Sequence, residues 1–171
     1  MTYTETPFFG YAMGLLVWLE SIPLSVWVHE SPSVWAQPTV LTLHTMGMAV
    51  LVGAAWVLDL RLLGISRTIP LSDFRWVFPA VALGLIVNLI TGVLLFMARA
   101  TTWGTAIPFL IKILLVVASA ATLLPLRRFL LRSDVDQQEI TGNVRLLAIA
   151  SIVAWTAAIT AGRLLAYTVT G

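Results

Sequence analysis

Three ionisable side chains interrupt stretches that otherwise suit lipid. They are His44 in "LTLHTMGMAVLVG", Lys112 in "IPFLIKILLVVAS" and Arg163 in "AWTAAITAGRLLAYT". An imidazole inside a membrane span can bind haem iron or a transition metal, or can hydrogen-bond within the bundle. Met48 follows His44 by four residues, and a thioether beside an imidazole suits copper(I) or a haem axial position. Gly47 lies on the same helix face and leaves room for a flat macrocycle or a close partner helix. Lys112 and Arg163 could offset the two propionates of a haem b. Tyr167 stands one turn beyond Arg163 on the same face. A second axial ligand would come from His29, from Met48, or from His44 of another copy of the chain. Each residue also has a plainer reading. Lys112 and Arg163 can anchor helices by reaching towards the interface. His44 can be a structural histidine bonded to a neighbouring hydroxyl or carbonyl. Met46 and Met48 are ordinary residues of an apolar core.

Such residues must be positioned by helices in a bilayer. The chain has 171 residues, of which 59% are hydrophobic and 11% charged, and its mean hydropathy is +0.95. A soluble domain carries about a quarter charged residues, so the composition specifies an integral membrane protein. A formal charge of +2 gives no footprint for nucleic acid, and zero cysteines exclude disulfides and thiolate metal sites. The length accommodates four or five spans of ~20 residues and no soluble domain.

Four stretches qualify as spans: A from Pro38 to Leu58, B from Trp76 to Met97, C from Ala106 to Leu126, and D from Val144 to Val169. The connectors "GISRTIPLSDFR", "RATTWGT" and "RRFLLRSDVDQQEITGN" carry turn and charge signals. Residues 1–37 form a separate N-terminal segment. Its apolar part has no basic leader and no convincing cleavage site, and reads as mature structure. The run from Phe8 to Leu19 reaches only ~18 Å as a helix, too short to cross alone. Glu20 and Pro23 then break it. The segment is therefore expected to lie at the membrane surface or against the bundle, broken near Pro23, with a kinked fifth span as the alternative. The expected fold is an all-α integral membrane protein: residues 38–171 form a four-helix transmembrane bundle and residues 1–37 a surface helix or kinked fifth helix.

Arg61, Arg67 and Arg75 mark the A–B connector. Arg127, Arg128, Arg132 and Arg145 mark the C–D connector, against Arg99 on the other side. The positive-inside rule makes both connectors cytoplasmic. His44 and Lys112 are then each about six residues, or ~9 Å, below the outer ends of their spans, and Arg163 has a similar depth. On span B, Gly84, Asn88 and Gly92 in "GLIVNLITG" share one face, as do Ala154, Ala158 and Gly162 on span D. Small residues at this spacing predict a B–D seam or a homo-oligomer contact. Asp59 and Arg61 in "DLRLLG" predict a lock at the cytoplasmic end of span A, with Asp59 paired to an arginine.

"WVHESPSVWAQPTVLTLHTMGMAVLVGAAWVLDLRLLG" and "AWTAAITAGRLLAYT" resemble a widespread family of small bacterial inner-membrane proteins. The shared pattern is Leu43-His44, the run Asp59 to Gly64, Lys112, and Ala161-Gly162-Arg163. The resemblance spans Trp18 to Tyr167 and implies a multi-pass protein of the bacterial inner membrane. The layout is distantly similar to membrane cytochromes b and copper-resistance D proteins, which implies haem or metal at membrane histidines. It departs from a bis-histidine cytochrome, because only His44 lies clearly within a span. Three functions follow as expectations: a haem b electron carrier through His44; a copper or small-solute carrier with His44 and Met48 as ligands; or a non-catalytic subunit binding lipid, quinone or a protein partner. A redox partner would accompany the first. No serine-histidine-aspartate set, HExxH helix or phosphate loop is present, and the residues leave open whether the protein is an enzyme.

Overall fold

The computed structural model describes residues 7–168, with side chains described from residue 10 to residue 165. Seven α-helices follow in the described chain: α1 Pro7–Ser21, α2 Pro23–Glu30, α3 Gln37–Leu63, α4 Val77–Met97, α5 Ala100–Gly104, α6 Ile107–Leu130 and α7 Gly142–Thr168. There is no strand among the described residues. Four helical segments are long and apolar enough to cross a membrane, and they correspond in order to spans A to D, with the end of span D at Val169 lying outside the described residues. The protein is a multi-pass helical membrane protein.

Helix ends follow local chemistry more closely than they follow the hydropathy limits. Span A was expected to stop at Leu58, but α3 continues to Leu63 and takes Asp59 and Arg61 into its last turns. The stop signal is Gly64, whose φ of +107° closes the helix in the left-handed region. The Gly64 N–H donates to the Arg61 carbonyl and the Ile65 N–H to that of Leu60. Span C likewise extends past Leu126 to Leu130, with Pro125 inside the helix. Pro38 and Pro108 sit in the first turns of α3 and α6, where the missing N–H is no loss.

The N-terminal segment is broken as expected. Ile22 adopts extended backbone, Pro23 opens α2, and the two short helices meet at 67°. Both are tied to the end of the bundle that carries α5. The Glu20 carboxylate accepts from the Thr101 N–H at 2.8 Å and from the Thr101 hydroxyl at 2.8 Å. Val28 is buried with Val40, Leu95 and Ala98. These ties match a helix pair tucked against the bundle; only as one bent span could the pair cross.

The spans are arranged as two hairpins. α3 packs along α4, α6 packs along α7, and α3 meets α7 to join the pairs. α4 and α6 do not pack along their lengths. They are bridged near the α5 end by the stacked rings of Phe96 and Phe109, with centroids 5.0 Å apart. At the opposite, arginine-rich end, a 3₁₀ turn Leu71–Trp76 rests on α6. The main core lies towards that end, around Leu58, Leu62, Leu126, Leu130 and Trp155.

The seam predicted between spans B and D is in fact between A and B. Gly47 and Gly84 let the α3 and α4 backbones touch. A Cβ on Gly84 would stand 2.7 Å from the Leu51 nitrogen and 2.8 Å from the Gly47 oxygen. With no side chain on either glycine, this closest approach uses up the small-residue face of α4 inside the chain. On α7, Gly162 instead receives the Lys112 side chain of α6. The B face is therefore packed within the chain, against α3.

Asp59 meets no arginine, which corrects the expected end lock. Arg61 turns to backbone: its Nε donates to the Ile69 carbonyl at 2.9 Å and its Nη2 to the Arg67 carbonyl at 3.1 Å. The two arginine-rich connectors are joined to each other. Arg75 donates to the Leu130 and Arg132 carbonyls, and the Ser72 N–H donates to Asp136 Oδ1 at 3.0 Å. Hydrogen bonding from Ser72, with a smaller contribution from the Arg75 charge, holds the Asp136 carboxyl below the usual carboxylate range.

Both connectors therefore lie on one side of the membrane, and the arginines predict the cytoplasm. Ser66 and Ser133 are exposed, one in each connector, and the chain has no native cysteine. Ser66→Cys and Ser133→Cys should react with a membrane-impermeant thiol reagent in inverted vesicles and stay unlabelled in intact cells. Labelling of either from outside would reverse the topology.

Candidate functional site

His44 is placed by the close A–B seam. The glycine contact at Gly47 and Gly84 brings α4 against α3 one turn further along, so that Asn88, Thr91 and Gly92 surround the histidine. Asn88 Nδ2 donates to the His44 carbonyl at 2.7 Å. That carbonyl belongs to the helix ladder, so the amide serves the seam and not a ligand. Gly92 lies beneath the ring: a Cβ there would approach His44 Cε1 to 3.3 Å. The side chain is 8% exposed.

The hydrogen bonds assign the ring nitrogens. His44 Nδ1 lies 3.0 Å from Thr91 Oγ1. The single Thr91 hydroxyl hydrogen is directed at the Val87 carbonyl, 2.6 Å away. Thr91 therefore accepts, and His44 Nδ1–H donates. In the neutral ring, Nε2 then holds the lone pair. Fixing one ring nitrogen so that the other faces a ligand is how proteins orient histidines at metal and proton-transfer sites.

Lys112 comes from the other hairpin. Its stem crosses Gly162, where a Cβ would stand 3.3 Å from Lys112 Cε and 3.6 Å from Nζ. The ammonium is close enough to act electrostatically on His44. His44 stands on the α3–α4 hairpin and Lys112 on the α6–α7 hairpin, and α4 and α6 do not pack along each other. The site thus pairs an unprotonated ring nitrogen with a strong donor at a similar depth.

The other expected residues are distributed differently. Arg163 is exposed on α7 and does not share the burial of His44. The Tyr167 side chain lies outside the described residues. Gly47 faces Val87 and Gly84, so of the two expected occupants of that space, a macrocycle or a close partner helix, it is helix α4 that fills it. Met48 packs on the main core. His29 is exposed and lines a cavity of about 360 Å³ with Glu20, Glu30, Arg99 and Thr101, a cavity His44 does not line. Among the described residues, no three histidine, aspartate or glutamate side chains converge on a metal position. Sequence reading missed Thr91 as the partner of His44. The signal was present: Thr91 is one helical turn from Asn88 and adjoins Gly92, on a face already marked as polar and small.

A model of a family of unknown function, DUF6644, matches residues 16–168. The chain belongs to this family. The matched DUF6644 region takes in the end of α1, all of α2, all four spans and both members of the His44–Lys112 pair. No curated protein and no solved structure matches the chain, so the distant similarity to cytochromes b and copper-resistance D proteins receives no support from a relative.

The residues present fit a haem in one respect only. Thr91 presents His44 Nε2 as an axial ligand would be presented. No second ligand accompanies it: Met48 points to the core, His29 faces a different cavity, and the Gly47 side is closed. Among the described residues, either haem b or copper would be held through His44 alone.

Proposed function

We propose that this DUF6644 protein is a non-catalytic membrane subunit that binds a lipid-soluble quinone or quinol between its two helical hairpins, through His44 and Lys112. The observation that carries this reading is the pairing of a lone-pair nitrogen, fixed by Thr91, with an ammonium from the facing hairpin. A quinone carbonyl accepts from Lys112. A quinol hydroxyl donates to His44 Nε2. Because α4 and α6 do not pack along each other, such a ligand would enter from the lipid between them. The Lys112 ammonium suits the quinone form as a donor and the His44 lone pair suits the quinol form as an acceptor. The arginine distribution supports a site on the outer side of the membrane, which we take to be the bacterial inner membrane.

The experiment is extraction. The unmutated protein, produced with ample haem and purified in mild detergent, should release quinone into organic solvent in stoichiometric amount and should show no Soret band. His44→Ala and Lys112→Met should each lose most of the quinone while remaining inserted. Quinone no higher than in a blank of co-purified lipid would overturn the reading. A Soret band that disappears in His44→Ala would replace it with haem b.

A further inference from the structure

The arginine-rich half of the bundle holds a second polar group that the quinone reading does not use. Asp59 is fully buried on α3, and neither carboxyl oxygen has a hydrogen-bond partner. Ser151 faces it from α7, close enough to interact with the carboxyl, but its hydroxyl completes no hydrogen bond either. This is unusual within the molecule. The span hydroxyls of Thr42, Thr45, Thr91, Ser119, Thr156 and Thr160 all donate to a carbonyl four residues earlier in their own helices. Ser151 forgoes that bond. The indole N–H groups of Trp56 and Trp155 are also buried without partners. Trp56 is three residues before Asp59 and Trp155 four after Ser151. On antiparallel helices both tryptophans therefore stand about one turn, or ~5 Å, further from the arginine-rich end.

No charge neutralises the carboxyl. Arg61 on the same helix is held by the Ile69 and Arg67 carbonyls. Arg75, from the turn before α4, is held by the Leu130 and Arg132 carbonyls. Arg127 and Arg128 on α6 and Arg145 on α7 are exposed. The packed neighbours in this core are apolar: Leu58, Leu62, Leu126 and Leu130 are all fully buried. An unpaired carboxylate among such neighbours is strongly disfavoured, so a positive species must accompany it. A hard metal cation takes six or more oxygen ligands, whereas this cluster has three side-chain oxygens and two N–H donors aimed the wrong way for a cation.

We propose that Asp59 and Ser151 form a proton-holding site, loaded from the arginine-rich face of the membrane. A hydronium ion gives its proton to an Asp59 oxygen and departs as water. The new carboxyl O–H donates to Ser151 Oγ, and the other Asp59 oxygen remains an acceptor for water or an indole N–H. The route is short, because Asp59 lies about one turn, or ~6 Å, from the end of α3. The site is independent of quinone binding, and either can fail alone.

Infrared spectroscopy of the protein reconstituted in lipid vesicles tests this. At neutral pH the unmutated protein should give the C=O stretch of a protonated carboxylic acid, which shifts on exchange into D2O. Asp59→Asn, an isosteric neutral change, should remove that band. Ser151→Ala should keep the band and move its frequency, because the acid loses its acceptor; a structural serine would leave it in place. Absence of the band from the unmutated protein, or its survival in Asp59→Asn, would overturn the proposal. So would a band that sodium ions abolish at constant pH, which would make the site an alkali-cation site. If Asp59→Asn fails to insert, the D2O shift in the unmutated protein and the Ser151→Ala displacement still decide.

Discussion

Gly84→Val should collapse the bundle. The first carbon added at Gly84 stands 2.7 Å from the Leu51 nitrogen, 2.8 Å from the Gly47 oxygen and 3.0 Å from the Leu51 Cα. All three are backbone atoms of α3, so no side-chain rotation can relieve the clash, and the two helices must separate. Separation also removes the Asn88 bond to the His44 carbonyl and the Thr91 bond to the His44 ring. Overpacking of a rigid contact costs about 1–3 kcal/mol or more. Adding the lost hydrogen bonds, the melting temperature in mild detergent should fall by about 10 °C or more, or the protein should fail to insert. Gly53, also within α3, supplies the control. Nothing lies within 4 Å of a Cβ placed there, so Gly53→Ala should be neutral or stabilising by about 0.5–1 kcal/mol. Equal melting of Gly84→Val and the unmutated protein would show that the α3–α4 contact is not as close as described.

Thr91→Val should disable the His44 site while leaving the fold in place. Valine keeps the shape but removes the acceptor for Nδ1–H and the donor to the Val87 carbonyl. The ring loses the bond that fixes its tautomer and orientation, and Nε2 no longer faces the ligand space as a dedicated acceptor. Leaving a buried polar group unpaired costs about 1–3 kcal/mol, equivalent to a fall in ligand affinity on the order of tenfold to a hundredfold. Thr91→Ser retains the hydroxyl and should recover most of the binding. Thr160→Val, at an exposed hydroxyl bonded only to its own helix, should leave binding unchanged. Quinone titration followed by the nitrogen resonances of the imidazole reads both effects. Unaltered affinity and unaltered ring resonances in Thr91→Val would remove Thr91 from the site.

Particular residues separate what was legible in the chain from what was not. Hydropathy located the four spans, because a bilayer requires each crossing to be long, apolar and hydrogen-bonded within itself. Pro23 marked the break between α1 and α2, and Glu20 explained why the segment could not simply cross. His44 and Lys112 stood out as functional candidates, because an ionisable group in an apolar helix is costly wherever it faces. Helix ends were less legible. Hydropathy stopped span A at Asp59, but a charged residue does not terminate a backbone ladder; Gly64 does, by adopting a left-handed conformation.

Partnership was not legible at all. The spacing of Gly84, Asn88 and Gly92 identified a packing face, yet the same spacing serves any neighbouring helix, and α3 took the place expected of α7. Asp59 was assigned an arginine because opposite charges sit in nearby connectors; in three dimensions Arg61 and Arg75 donate to backbone carbonyls, Arg127, Arg128 and Arg145 are exposed, and the carboxyl turns inward to Ser151. The sequence by itself determined four apolar crossings and set the N-terminal pair apart from them, and it predicted their orientation and the depth of each ionisable group, since these follow from length, hydropathy and charge along one chain. Only the tertiary structure decided that Thr91 fixes the His44 ring, that Gly47 admits a helix and not a macrocycle, and that Asp59 is buried without a counter-charge. Those outcomes depend on which helix faces which, and side-chain period alone leaves that choice open.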